Sequence, residues 1–269
     1  MKFSNLIRKS KYLLASPGVF FNSGLTGARE AFYKKHANKK YSKSRLPTIN
    51  LMDITGNSGT YLSTYSFLPG TSMITDIILL KALAKRFPNC AYLEIGSWRG
   101  ESLVNVAEVA SESYSLSLST EEMKSFGYPA SVSAVSDFFI KDDPKIKLIK
   151  HNSQTFDFKK LDKKFDLIFI DGDHSYNGVL ADTRNAFKLL KDENSILVWH
   201  DYGFTAEDIH YGVFAAILDG IPEAEHAHLY HVSNTIAAIF TKGTFNSRVI
   251  SPNEKPDKVF SVELKITKY

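Results

Sequence analysis

Cysteine is nearly absent from this sequence: of its 269 residues, only Cys90 is one. A single thiol cannot form an internal disulfide, and it is too few for a zinc site built from cysteines. Such a composition is typical of a reducing compartment, so we expect a cytoplasmic protein in which Cys90 packs beside a strand.

Long hydrophobic runs are also missing. No stretch approaches the roughly 20 apolar residues that a membrane-spanning helix needs, so we expect no transmembrane span. The first residues are basic and then apolar, as in a signal peptide, but Ser16, Pro17 and Gly18 interrupt the apolar part and no convincing cleavage site follows. We therefore reject a signal peptide, while contact of this segment with a membrane surface stays an alternative.

The charge is close to balanced, with a formal net charge of +4. The excess is concentrated in one early cluster: Lys34, Lys35, Lys39, Lys40, Lys43 and Arg45. We interpret this cluster as a solvated face, with an anionic partner such as a phosphate-bearing substrate or a lipid surface as the alternative, and we expect no nucleic-acid partner. The 43% hydrophobic and 23% charged residues are typical of a globular, enzyme-sized chain.

The most informative stretch is 165–176, FDLIFIDGDHSY. Its apolar half predicts a strand buried on both faces, and it ends abruptly in Asp171, Asp173 and His174. Ser175 is a suitable N-cap for a helix over 175–190. In open α/β sheets ligands bind at the carboxyl ends of the strands, so these polar residues predict a site.

Strands and helices alternate along most of the chain, which predicts an α/β doubly wound fold. Its sheet is expected to have seven strands, most of them parallel, with an antiparallel edge near the C-terminus. Residues 1–71 lack sustained periodicity and are interpreted as an N-terminal extension that covers a main domain at 72–269. We predict strands at 91–95, 113–119, 145–151, 165–170, 195–199, 228–233, 235–240 and 259–266, and helices at 74–87, 102–110, 132–140, 175–190 and from Thr205 or Asp208 to Leu218.

A glycine turn follows the first of these strands. It reads Glu94-Ile-Gly-Ser-Trp-Arg-Gly100, with two glycines where the dinucleotide fingerprint G-x-G-x-x-G has three. This loop therefore does not let the backbone approach a pyrophosphate closely, which disfavours a nicotinamide cofactor.

Three motifs in this order, EIGSWRGES, IDGDHSYNGVLADTRNAFKLL and SILVWHDY, resemble class I S-adenosylmethionine-dependent methyltransferases. The similarity covers about 72–242 and is strongest to the group with D-G-x-H and histidine-aspartate motifs, often sugar or natural-product O-methyltransferases. The resemblance implies a Rossmann-like methyltransferase fold, S-adenosylmethionine as cofactor and a small-molecule or glycan acceptor. A homo-oligomer stays open.

The resemblance also implies cofactor-binding positions. The loop around the methionine portion corresponds to Glu94, Gly96 and Gly100 with Ser97, Trp98 and Ser102 beside it, and the adenine contact to Asn152 and Ser153, while Asp171 borders the cofactor. The acid that usually holds the ribose is missing, because Ser117 or Ser119 stands there. Glu121 is an alternative substitute, helix capping by Ser119 or Thr120 with Glu122 is another interpretation, and Glu94 could instead be a buried cap of its turn.

The catalytic assignment is His174 as general base, with Asp171 and Asp201 as anchors of substrate or of a metal such as Mg²⁺. Asp173 or Asp171 is expected to fix the tautomer of His174, and His200 would be a weak ligand. The competing interpretations are a histidine that only caps the next helix and an Asp201 that caps the loop before Thr205. Two other functions stay open: an NAD(P)-dependent Rossmann oxidoreductase, and a non-catalytic cofactor-binding module that docks a partner through its basic N-terminal segment.

Overall fold

The structure is a computed structural model that describes residues 17–57, 59–140 and 143–268 of the chain, with side chains from residue 25 onward. Within these ranges no helix is both long and apolar enough to cross a membrane. The signal-like segment before residue 17 lies outside the described residues.

Eight α-helices are described. They are α1 Pro17–Tyr41, α2 Leu51–Thr55, α3 Ile74–Ala84, α4 Glu101–Ala107, α5 Thr120–Ser125, α6 Ala130–Ser133, α7 Tyr176–Lys188 and α8 Tyr211–Gly220. The strands are β1 Thr48–Ile49, β2 Ala91–Ile95, β3 Glu112–Ser117, β4 Ile146–Lys150, β5 Leu167–Ile170, β6 Ile196–Trp199, β7 Leu229–Val232, β8 Ala238–Phe240 and β9 Ser247–Arg248. Short 3₁₀ helices occupy Phe158–Leu161 and Glu223–His228.

All nine strands form one sheet in the order β4-β3-β2-β5-β6-β8-β7-β1-β9. Strands β4, β3, β2, β5 and β6 are parallel, β8 runs antiparallel to both of its neighbours, and the edge strand β9 runs antiparallel to β1. The doubly wound, mostly parallel fold is confirmed, with two short strands beyond the seven expected. Strand order reverses between β2 and β5, so their carboxyl ends border the crevice where such folds bind ligands.

The sheet is buried on both faces, which explains why its central strands read as continuous apolar runs. Ile168 and Ile170 of β5 pack on the side of α7 and α8, whereas Leu167 and Phe169 pack on the side of α3 and α4. All four are at most 3% exposed. Burial of apolar surface stabilises the folded state by roughly 25 cal/mol per Å². These four buried side chains therefore hold β5 firmly in place beneath the polar residues that follow it.

Helix α1 was not predicted, because its described part lacks an apolar stripe and its contacts with the body are largely polar. It packs against α8, where the Asp219 carboxylate lies 2.7 Å from His36 Nε2 and accepts hydrogen bonds from Lys40 Nζ (2.6 Å) and Tyr41 (2.5 Å). Tyr176 of α7 donates to the same carboxylate. These contacts hold the pKa of Asp219 well below its usual range, because the hydrogen bonds outweigh the opposing effect of burial.

Two predicted elements are wrong. Residues 132–140 do not form a helix; α6 ends at Ser133 and turns follow, in which Asp137 adopts a φ of 59° and donates its N–H to Trp98 O. Residues 259–266 do not form the predicted strand and join no sheet. Helix α3 starts at Ile74 as predicted, with Asp76 accepting from Met73 N, whereas the helix predicted from Thr205 or Asp208 starts only at Tyr211, after His210.

Candidate active site

The glycine loop after β2 lies directly against the end of β5. Gly96 has a φ of 94°, and a Cβ at this position would lie 2.2 Å from Asp171 O. Only glycine tolerates both the left-handed conformation and this close approach. Gly100 also has a left-handed conformation, with a φ of 91°, and faces the side chain of Ile140. The loop therefore depends on both glycines that the sequence singled out.

Glu94 lies beneath this loop and is fully buried. Tyr92 and Ser102 donate hydrogen bonds of 2.6 and 2.7 Å to its two carboxylate oxygens. Burial raises the pKa of Glu94 to about 8, although both hydrogen bonds act in the opposite direction. Its position agrees with the alternative interpretation, a buried support of the turn, and Ser102 acts through it. Ser97 is buried as well, with its hydroxyl 2.6 Å from Ser115 Oγ.

Residues 69–72 pack against the glycine loop and the end of β5. Trp98 is 38% exposed at the tip of the glycine loop, and its ring lies over Gly70, where a Cβ would be 2.3 Å away. Arg99 fixes the same segment by donating to Pro69 O and to Thr71 Oγ1. Ser72 then reaches the site, with Oγ 3.4 Å from Asp171 Oδ2.

The ends of β3 and β4 border the position at which related methyltransferases usually carry the acid that holds the ribose. Ser117 accepts a hydrogen bond of 2.9 Å from Lys150 Nζ. Lys150 also pairs with Asp137, whose other carboxylate oxygen is buried and has no hydrogen-bond partner in the described part of the chain. A carboxylate therefore does occupy this corner, but it comes from the loop after α6. Ser119 caps α5 by accepting from Glu122 N, which confirms the capping interpretation, and Glu121 is exposed.

The adenine candidates lie in the turn after β4. Asn152 accepts from Gln154 N through its side chain and donates its own N–H to Glu122 Oε1. Ser153 lies near Asp182, a fully buried carboxylate of α7 with neither oxygen hydrogen-bonded among the described residues. Burial raises the pKa of Asp182 to about 6, and Ser153 opposes this rise.

Four of the predicted catalytic and metal residues meet at the ends of β5 and β6. His200 Nδ1 lies 3.0 Å from Asp171 Oδ1 and 3.3 Å from Asp201 Oδ2, and His200 Nε2 lies 3.2 Å from Asp76 Oδ2. Three carboxylates thus surround one imidazole that is only 11% exposed. Asp76 was missed from the sequence because it comes from α3, outside every motif.

The electrostatics of this cluster follow from its burial and its partners. Burial alone would lower the pKa of His200, but the three carboxylates outweigh it and raise this pKa well above its usual range. Burial raises the pKa of Asp171. Burial would also raise the pKa of Asp201, yet the neighbouring imidazoles of His174 and His200 hold it well below its usual range.

His174 is joined to this cluster through Asp201. His174 Nδ1 lies 2.7 Å from Asp201 Oδ2, and this hydrogen bond raises the pKa of His174 against the effect of partial burial. The prediction of Asp171 or Asp173 as the partner of His174 is wrong, since Asp173 instead accepts from Ser175 in the turn before α7. If Nδ1–H donates to Asp201, the lone pair on Nε2 of a neutral His174 is left for another proton.

The same cluster has the composition of a cation site. Asp171, His200 and Asp201 can each offer one ligand atom, and these atoms lie within 4.8 Å of one another. His200 Nδ1 is buried between two carboxylates, yet no hydrogen bond of good geometry satisfies it within the described residues. A donor set of two carboxylates and one imidazole fits a divalent cation, and it suits Mn²⁺ or Zn²⁺ better than Mg²⁺, which prefers oxygen ligands.

Aromatic residues near the cleft are mostly structural. Trp199 is fully buried and donates to Thr183 Oγ1, and Tyr202 is 3% exposed with its hydroxyl bonded to Leu46 N. Tyr176 binds Asp219 away from the site. Of these aromatic residues only Trp98 presents an exposed face.

Comparison with solved structures gives distant likenesses. The SAH-bound methyltransferase PaMTH1 of Podospora anserina is 18% identical, with 64% of this chain and 79% of that one covered and a TM-score of 0.46. The O-methyltransferase TomG of Streptomyces achromogenes, solved with SAM, is 13% identical, with 64% and 82% covered and a TM-score of 0.43. A precorrin-8w decarboxylase of Methanobacterium thermoautotrophicum is 14% identical, with 49% and 64% covered and a TM-score of 0.37, so the chain spans just under two thirds of its length.

At these identities and TM-scores the solved structures carry no conclusion about activity. Comparison with curated protein sequences gave no match. Residues 93–202, however, match the family described as "Methyltransferase domain", and this range contains the glycine loop, the DGDHSY motif and the WHD motif. Over these residues the chain has a methyltransferase domain, and its resemblance to the class I S-adenosylmethionine-dependent methyltransferases is confirmed.

Proposed function

We propose that this protein transfers the methyl group of S-adenosylmethionine to a hydroxyl oxygen of a small sugar, glycan-like or other hydroxylated acceptor. The observation that carries the proposal is the close pair His174–Asp201, with Nδ1 and Oδ2 2.7 Å apart, beside the strand end that the glycine loop contacts. Methyl transfer places the acceptor oxygen in line with the sulfonium, and much of its acceleration comes from holding the two reactants in that geometry.

His174 is the general base in this proposal. An alcohol is a poor nucleophile at neutral pH, so removal of its proton during attack is useful. Asp201 orients the ring through Nδ1 and stabilises the imidazolium that forms when Nε2 takes the proton. The side chain of His174 is 63% exposed, as a base that meets an incoming acceptor needs to be.

The cofactor is proposed to lie along the glycine loop and the ends of β2, β3 and β4. Gly96 and Gly100 shape the loop, with Ser97, Trp98, Ser102 and Glu94 in or under it, while Ser117, Ser119, Asn152, Ser153 and Asp171 border the remaining edge. Asp137 supplies the carboxylate for the ribose hydroxyls that the β3 end lacks. Support for this role comes from its buried, unpartnered oxygen and from Lys150, which joins it to Ser117.

A divalent cation is the second part of the proposal. Asp171, Asp201 and His200 would hold it, and when bound it would lower the pKa of an acceptor hydroxyl. A cation that uses Asp201 Oδ2 would compete with His174 for that oxygen. Titration with Mn²⁺, Zn²⁺ and Mg²⁺, in the wild type and in His200→Gln, tests the site: saturable binding that the substitution weakens supports it, and equal weak binding by both proteins rejects it.

Calorimetry with S-adenosylhomocysteine, S-adenosylmethionine and NAD separates the proposal from a Rossmann oxidoreductase. Binding of the first two without NAD supports methyl transfer, and the reverse rejects it. A panel of hydroxylated acceptors, including cell-derived glycans, is then incubated with S-adenosylmethionine and searched for a methyl-sized mass gain. Cofactor binding with no methylated product from any acceptor class would favour the non-catalytic module.

A further inference from the structure

The C-terminal segment has the sequence of an amphipathic strand but belongs to no sheet. Apolar and polar side chains alternate with a period of two, which places them on opposite faces of an extended chain. The apolar positions are Phe260, Val262, Leu264 and Ile266, and the polar positions between and after them are Ser261, Glu263, Lys265 and Thr267.

This segment is uncovered in the structure. The four apolar side chains are 49%, 59%, 64% and 95% exposed, in chain order. No backbone hydrogen bond joins residues 259–267 to any other described part of the chain. A segment with exposed apolar side chains and with unpaired backbone N–H and C=O groups is able to pair with another strand.

The base of the segment is fixed to the body. Lys258 Nζ donates to Asn234 Oδ1 at 3.0 Å, and Asn50 Nδ2 donates to Asp257 Oδ2 at 3.3 Å. The side chain of Lys258 is only 8% exposed, whereas Val259 is 92% exposed. Residues 259–267, all of them exposed, therefore follow a fixed attachment point, and we call them the arm.

We propose that the arms of two copies of this chain pair as antiparallel strands around a two-fold axis that passes beside Leu264. In this register Glu263 lies opposite the partner's Lys265, and Val262 lies opposite the partner's Ile266. The apolar side chains of both arms then share one face, and each carboxylate meets an ammonium. A two-fold contact of this kind is self-complementary, so one sequence supplies both sides.

The charges make pairing of the arm with the partner's arm more favourable than pairing with a free edge of the sheet. That edge is β4, whose sequence IKLIK carries Lys147 and Lys150. Lysine on an edge strand discourages pairing, and the arm offers only Glu263 to balance both. The edge strand β9 is two residues long and cannot pair with an arm of this length.

Sedimentation or light scattering of the full chain tests the pairing. We expect a dimer at about 10 μM and a monomer of unchanged thermal stability when the chain is cut after Lys258. Glu263→Lys should weaken the dimer by at least roughly tenfold, because two attractive contacts become repulsive, and Glu263→Lys with Lys265→Glu should restore it. Glu193→Lys, an equal charge change at another exposed position, should have no effect.

Cysteine cross-linking tests the register. Leu264→Cys should give a disulfide-linked dimer under mild oxidation, since opposed residues of antiparallel strands have Cα atoms about 4.5–5.5 Å apart. Thr267→Cys should not, and the native Cys90 is buried. A full chain that stays monomeric at about 100 μM overturns the proposal, as does a dimer that survives removal of the arm. Loss of the dimer on truncation without cross-linking through position 264 also overturns it, and assigns the arm to another surface of the second copy. None of these measurements needs cofactor or methyl transfer.

Discussion

His174 Nδ1 lies 2.7 Å from Asp201 Oδ2, and the same oxygen lies 3.3 Å from Nδ1 of His200. One carboxylate oxygen thus joins an exposed imidazole to a buried one. The exposed ring can exchange protons with an acceptor, whereas the buried ring is held by carboxylates on both of its nitrogens. In the proposed mechanism His174 therefore transfers the proton and Asp201 orients its ring.

Replacement of His174 by Gln should lower kcat by about 10²- to 10⁴-fold, because the acceptor proton loses its base. The Kd for S-adenosylhomocysteine should change little, since His174 is not among the residues proposed to contact the cofactor. Steady-state kinetics and calorimetry measure the two effects. Unchanged turnover in His174→Gln would remove the residue from the mechanism.

The pH dependence of kcat/KM should have an acidic limb set by His174, because only the neutral ring accepts a proton. Asp201 raises the pKa of His174, so activity is lost as pH falls through this raised value. Asp201→Asn removes the raising interaction and should move the limb to lower pH, while the poorer orientation of the ring lowers the plateau. A limb that stays in place would show that another group sets it.

Gly96→Ala should destabilise the fold by about 2 kcal/mol or more and abolish cofactor binding. The added Cβ would lie 2.2 Å from Asp171 O, and the φ of 94° is strained for alanine. Gly27→Ala is the matched control, because a Cβ there meets nothing within 4 Å in the helix α1 and should stabilise by about 0.5–1 kcal/mol. Denaturant unfolding measures both, and equal stabilities for the two variants would contradict the geometry.

Asp182→Asn should stabilise the protein at neutral pH but not in acid. The pKa of Asp182 is raised to about 6 by burial, above the ordinary value of 3.8, so the folded state holds the proton more tightly than the unfolded state does. Its cost is therefore absent below about pH 4, grows as pH rises through 4 to 6, and is complete above that range. A gain of about 1–3 kcal/mol at pH 7.5 that vanishes near pH 4 is expected from denaturant unfolding; a gain independent of pH would assign the effect to packing.

Asp137→Asn should weaken binding of S-adenosylhomocysteine by about tenfold or more, because a hydrogen bond to a charged group contributes roughly 1.5–3 kcal/mol. Comparing two ligands, with and without the ribose hydroxyls, separates contact with the ribose from a purely structural role of Asp137. A cofactor analogue without the 2′- and 3′-hydroxyls should bind the variant and the wild type equally. Equal losses for both ligands would contradict contact between Asp137 and the ribose.

The sequence by itself determined the parallel part of the fold and the location of the candidate site. Strands such as β5 are buried on both faces, so their sequences are short apolar runs. Gly96 and Gly100 indicate a turn with backbone conformations that favour glycine. Polar residues directly after two such strands must meet at one edge, because parallel strands end on the same side. The motif residues Asp171, His174, His200 and Asp201 were found in this way.

Only the tertiary structure decided which side chain faces which. Asp76 and Asp137 reach the cleft from α3 and from the loop after α6, neither of which carries a motif, and helix α1 is held by the Asp219 hydrogen bonds rather than by an apolar stripe. The partner of His174 is Asp201, 27 residues along the chain, rather than its sequence neighbour Asp173. Local patterns record how a segment is buried, but a hydrogen bond between distant segments leaves no period in the sequence. The alternating C-terminal arm is the opposite case, since its strand pattern is local and its partner lies outside the fold.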